Sequence, residues 1–88
     1  MTDAERLHRA VGRRVRELRD RHQLTQERLA HEAGLHPVFV SRVERGVTGV
    51  TVDTVAALCG VVGVTLAEFF ESFTQLTRPR GLGRKRRS

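Results

Sequence analysis

His31-Glu32-Ala33-Gly34-Leu35 comes within one residue of His-Glu-x-x-His, the helical pattern in which two histidines hold zinc and the glutamate acts as a base. Position 35 is Leu, so the second ligand is missing. His8, His22 and His36 show no ligand spacing with cysteine or carboxylates. The single cysteine, Cys59, permits no internal disulfide and no cysteine-based zinc cage, and it reads as a small buried hydrophobe rather than a redox sensor. Gly60-Val61-Val62-Gly63 lacks the lysine of a phosphate loop. No Ser–His–Asp set or carboxylate pair has support in so short a chain. The sequence therefore points away from an enzyme, with no cofactor, metal or small-molecule ligand expected. What remains in quantity is guanidinium chemistry: 16 basic residues, of which only Lys85 is lysine. A guanidinium presents a fixed fork of donors that suits phosphates and guanine edges.

The distribution of that charge is informative. The formal net charge is +6. Residues 1–73 are neutral, with ten arginines against ten acids, so the excess lies in residues 74–88. Within the first part, residues 1–46 hold all ten arginines, whereas residues 47–73 hold only the acids Asp53, Glu68 and Glu71. One end of the domain is expected to be basic and to meet a polyanion; the other suits a protein partner. Eighty-eight residues suffice for one small domain, expected over 1–76, followed by a basic tail, 77–88, disordered when free. No apolar run is long enough to span a bilayer, the start of the chain is polar and acidic, and cysteine is scarce. A cytoplasmic location, with no membrane partner, is the expectation.

Five helices are expected to carry these groups. Thr2-Asp3-Ala4-Glu5 has capping-box spacing, and Leu7, Val11, Val15 and Leu18 form one helical stripe, giving helix 1 at about 4–22. Thr25 caps a short helix 2 that buries Leu29, Ala30 and Ala33 and ends at Gly34. After the turn at Leu35-His36, Pro37 opens helix 3; Val40 and Val43 face inward and Gly46 closes it. Thr51 caps helix 4, with Val52, Val55, Leu58, Cys59 and Val62 apolar and Gly63 at its end. β-branched residues between Val47 and Val64 make strand the competing expectation. Thr65-Leu66-Ala67-Glu68 is a second capping box, opening helix 5 with Leu66, Phe69, Phe70, Phe73 and Leu76.

Two short helices around a three-residue turn form a helix-turn-helix layout. Through Leu24-Thr25-Gln26-Glu27-Arg28-Leu29-Ala30, Ala33-Gly34-Leu35, Val40-Ser41-Arg42-Val43-Glu44-Arg45-Gly46 and Gly63-Val64-Thr65-Leu66, the chain resembles the lambda-repressor-like family, the phage repressor and Cro type also called the XRE family. The likeness runs from about Val11 to Phe70 without an internal gap. Size and the segment Gly49-Val50-Thr51-Val52 are most similar to the controller proteins of restriction–modification systems.

The resemblance implies an all-α, compact five-helix DNA-binding domain that reads double-stranded DNA with helix 3, in many members as a homodimer on a palindrome. It places Gln26 on backbone phosphate, turns Pro37, Val38, Ser41 and Arg42 toward base edges, and pairs Arg19 with Glu44 in a partly buried tie between helices 1 and 3. Thr25, His36 and Arg45 complete the expected DNA-binding set, although His36 also suits a capping role. Pro37 and Val38 depart from the family, because neither side chain can donate a hydrogen bond to a base. Val38 can touch a thymine methyl and Arg42 can grip guanine, so part of the specificity is expected from DNA shape. Leu66, Phe70 and Phe73 are the expected homodimer surface; the alternative is that they all serve the core. Regulation would follow from promoter occlusion or contact with RNA polymerase. The competing function is an antitoxin-like protein-interaction module with secondary DNA binding. The tail Arg84-Lys85-Arg86-Arg87 is either a phosphate arm or solvated coil.

Overall fold

The computed structural model describes residues 1–74 and 76. The expected basic tail, 77–88, lies outside the described residues. Five helices follow in order: α1 Asp3–Arg21, α2 Gln26–Ala33, α3 Pro37–Glu44, α4 Val52–Val62 and α5 Leu66–Phe69. The described residues contain no strand, so the β-branched run between α3 and α5 is loop and helix.

Local chemistry sets the helix ends. Thr2 Oγ1 accepts from the Glu5 amide at 3.0 Å while Glu5 Oε1 accepts from the Thr2 amide at 2.7 Å. The same reciprocal pair forms between Thr65 and Glu68, and Thr25 and Thr51 cap α2 and α4 through their hydroxyls. Gly34 and Gly63 end α2 and α4 in the left-handed region, at φ 72° and 73°. α1 ends differently. Gln23 takes φ 57°, the one non-glycine residue with positive φ among the described residues. Its amide bonds to the Asp20 carbonyl and closes the turn toward α2.

The core draws on every helix. Val11, Val15 and Leu18 of α1 meet Leu29 and Ala30 of α2, Val40 and Val43 of α3, Val55, Leu58, Cys59 and Val62 of α4, and Phe69 of α5. Three expectations need correction. Val52 is 69% exposed and not a core position, because it occupies the first turn of α4, which projects beyond the packed face. Leu7 is only half-buried, near the free end of α1. Helix 5 is one turn long: Phe70 caps it, and Phe73 and Leu76 lie beyond its end rather than along one helical face.

Candidate nucleic-acid interface

α3 is built to show one face and bury the other. Val40 and Val43 are each 1% exposed, whereas Val38 is 60% exposed. Pro37, Val38, Arg42 and Arg45 are all exposed, with Ser41 half-buried among them. These five residues share one side of the helix, because positions three and four apart in an α-helix lie one above the other. Pro37 stands at the first position, where its missing amide donor costs no hydrogen bond. His36 precedes it and caps the helix, its Nδ1 accepting from the Val38 amide at 3.1 Å. His36 is exposed, and Nδ1 is thereby committed to the backbone. Arg45 folds back so that its Nε donates to the Ser41 carbonyl at 3.4 Å. Among the described residues no carboxylate pairs with Arg42 or Arg45, so both guanidinium groups keep donors for an external acceptor.

Behind this face lies a network that fixes the helix. Arg19 of α1 makes a forked bond to Glu44 of α3, Nε to Oε2 at 2.6 Å and Nη2 to Oε1 at 3.0 Å. The third guanidinium nitrogen, Nη1, donates to the Leu24 carbonyl at 2.7 Å in the loop before α2. The Glu44 side chain is 3% exposed and that of Arg19 13%. The carboxylate holds the guanidinium charged, raising its already high pKa. Gln26, the first residue of α2, adds a bond from Nε2 to Glu44 Oε1 at 2.9 Å. One carboxylate therefore ties α1, the α1–α2 loop, α2 and α3 together. It also holds the Gln26 amide beside the C-terminal end of α3. Thr25 is exposed, with its hydroxyl oxygen accepting from the Arg28 amide, and its hydroxyl hydrogen is free for another acceptor.

One positioning residue, Gly12, escaped the reading from sequence; for a second, Gly46, the sequence showed the end of the helix but not its close approach to α1. Gly12 is buried where α1 crosses the end of α3, and a Cβ there would lie 2.6 Å from the Glu44 carbonyl oxygen and closer still to that of Val43. Only a bare Cα permits this approach. Gly46, at φ 73°, turns the chain after α3 directly over the Arg9 backbone, leaving 2.9 Å between a Cβ and Arg9 Cα. The signal for Gly12 was present in the sequence: a glycine inside a helical stripe, where it weakens the helix, implies a close packing reason.

Leu66 and Phe70 are 37% and 36% exposed, and Phe73 is half-buried against the core. The three phenylalanines stack as one group, with Phe69–Phe70 and Phe70–Phe73 edge-to-face at centroid distances of 4.8 and 5.0 Å. Arg14 holds the segment to α1, donating from Nε to the Phe69 carbonyl and from Nη2 to the Glu68 carbonyl at 3.1 and 2.9 Å. No group of three or more His, Cys, Asp or Glu residues among those described is placed to hold a metal. No helix there is long and apolar enough to cross a membrane.

Comparison with known proteins agrees with this geometry. A family model described as a helix-turn-helix domain matches residues 10–69, the span from the middle of α1 through α5. The control protein C.BamHI of Bacillus amyloliquefaciens is 35% identical over 54 residues, covering 60% of this chain and 67% of that protein. A crystal structure of the clp gene regulator ClgR from Corynebacterium glutamicum is similar with a TM-score of 0.71 and 28% identity, over 74% of this chain and 69% of that one. A second crystal structure of that regulator gives the same TM-score with 83% of its chain covered. The exposed face of α3, the short turn between α2 and α3 and these likenesses lead to one conclusion: the chain belongs to the helix-turn-helix domain family, as a DNA-binding transcriptional regulator and not an enzyme.

Proposed function

We propose that the protein acts in the cytoplasm as a homodimer on a twofold-symmetric operator, laying the exposed face of α3 into successive major grooves about 34 Å apart. The observation that carries the reading is the contrast along α3: Val40 and Val43 sealed at 1% exposure, Val38 open at 60%, with the guanidinium groups of Arg42 and Arg45 bound to no carboxylate among the described residues. In this arrangement Arg42 reads guanine through O6 and N7, and Val38 touches the groove's apolar features. Thr25, Gln26, His36 and Arg45 meet phosphates, while Pro37 and Ser41 lie against the base edges. Glu44 sets the orientation of the whole reading surface through Arg19 and Gln26. Leu66 and Phe70, with Phe73 behind them, form the contact between copies. Similarity to the control protein C.BamHI supports a role as controller of a restriction–modification operon, through occlusion of a promoter or contact with RNA polymerase.

The test is selection of duplexes from a random pool by the full chain, followed by sedimentation of the protein alone. Enrichment of an inverted repeat with half-sites one helical turn apart is the expected result, together with a dimer at micromolar concentration. Enrichment of a single, non-repeated half-site by a monomer would contradict the dimeric reading. No enrichment would contradict sequence-specific binding itself.

A further inference from the structure

A hollow beside Arg42 is lined by His36, Val38, Phe39, Arg42 and Thr48. Val38 and Arg42 are one helical turn apart on α3, and Phe39 flanks them, half-buried. Gly46, at φ 73°, then turns the chain so that Thr48 forms the facing wall. The hollow is open to solvent, with a volume of about 410 Å³. That is room for the edges of neighbouring bases.

Its polar groups are mostly committed already. Thr48 Oγ1 donates to the Gly49 carbonyl at 3.2 Å, and His36 Nδ1 accepts from the Val38 amide at 3.1 Å. The walls contributed by Val38 and Phe39 are hydrocarbon. The arrangement is thus an apolar recess with one strong fork of donors, Arg42, at its edge. The apolar feature of a major groove is the methyl group on pyrimidine C5, and the acceptor pair that fits a guanidinium fork is O6 and N7 of guanine. Side chains one turn apart on a helix stand about 5–6 Å from each other, and successive bases of one strand rise about 3.4 Å, so the two features are read on neighbouring bases.

We propose that the hollow is a subsite for the C5-methyl group of a pyrimidine stacked next to the guanine that Arg42 reads. Each half-site then carries a thymine beside a guanine, and 5-methylcytosine supplies the same methyl in place of thymine. The assignment rests on the DNA-reading role proposed above and adds a chemical class of ligand to it. It also makes binding sensitive to cytosine methylation within the operator.

The experiment uses the full chain and the duplex it selects. At the thymine next to the guanine, uracil removes the methyl group and nothing else. Binding to the uracil duplex is expected to weaken about fourfold, the free energy of burying one methyl-sized group. Cytosine at that place should bind less well than 5-methylcytosine. Val38→Ala, at a solvent-exposed position, should bind the thymine and uracil duplexes alike while keeping its preference for guanine. Equal binding of thymine and uracil duplexes by the unaltered protein would overturn the subsite and leave DNA reading intact. So would a selected sequence with no methyl-bearing pyrimidine beside a guanine. Absence of any selected sequence would overturn both.

Discussion

Glu44 accepts three hydrogen bonds from two side chains while its own side chain is 3% exposed. A buried carboxylate is tolerable only while such donors surround it. Arg19→Met removes two of them and leaves the charge beside Gln26 alone; the expected cost is about 3 kcal/mol in chemical denaturation. The double variant Arg19→Met with Glu44→Leu removes the uncompensated charge and should recover much of that stability. It should still bind DNA poorly, since the Gln26 amide loses its anchor. Stability and affinity would then separate, which a purely structural salt bridge would not give. Arg42 is the opposite case: it is exposed, unpaired among the described residues, and of little expected value to stability. Arg42→Ala should leave the denaturation midpoint nearly unchanged and erase discrimination at one base pair per half-site, worth about 1–3 kcal/mol. Uniform weakening on every sequence would make it a phosphate contact instead. Cys59 belongs to the core at 3% exposure, and burial pushes its thiol pKa up. A folded pKa above the unfolded one means that stability is fully present below the unfolded pKa and declines as pH rises through the folded value. Labelling by a thiol reagent at neutral pH should therefore follow the rate of opening of the fold; fast labelling of the native protein would contradict the burial.

At the scale of helices, the crossing of α1 and α3 at Gly12 decides how α3 is held. A Cβ there meets the Val43 and Glu44 carbonyl oxygens, which belong to backbone and cannot swing aside. Gly12→Ala is expected to push the end of α3 away from α1 and disturb the Arg19–Glu44 bond, destabilising by about 1–3 kcal/mol as overpacking does. Gly60 is the control: it lies within α4, and nothing stands within 4 Å of a Cβ placed there. Gly60→Ala should stabilise by about 0.5–1 kcal/mol through helix propensity. Opposite signs for the two glycines, measured by thermal unfolding, are the test of the crossing. The contrast also shows how far the chain was legible. The caps at Thr2, Thr25, Thr51 and Thr65 are local devices, each closed within three residues, so their spacing alone revealed them. Gly12 answers to a helix about thirty residues away, and its neighbour is invisible from the sequence around it. The end of α1 was legible to within a residue, but not the left-handed turn at Gln23, which glycine would have announced. Val52 was misplaced for a related reason: apolar spacing marks a stripe but not where the packed partner stops.

For the molecule as a whole, the distribution of charge along the chain suggests a division of labour. Residues 1–46 carry every arginine of the domain, and residues 47–73 carry only acids. The exposed face of α3 lies in the first part, and Leu66 and Phe70 lie exposed in the second. Leu66 and Phe70, exposed next to the exposed acids Glu68 and Glu71 in the chain, suit the proposed contact between copies. Phe70 offers the cleaner variant, because Phe69 beside it is 1% exposed and holds the core. Phe70→Arg is expected to shift sedimentation toward the monomer. Its cost to the fold should be small relative to that of Phe69→Ala, at about 3–5 kcal/mol for a buried aromatic. If the copies bind jointly, the variant should lose affinity for the inverted repeat while keeping the affinity of one half-site. If it instead keeps full affinity for the repeat, the two copies meet through another surface, and the phenylalanines beyond α5 serve the core alone.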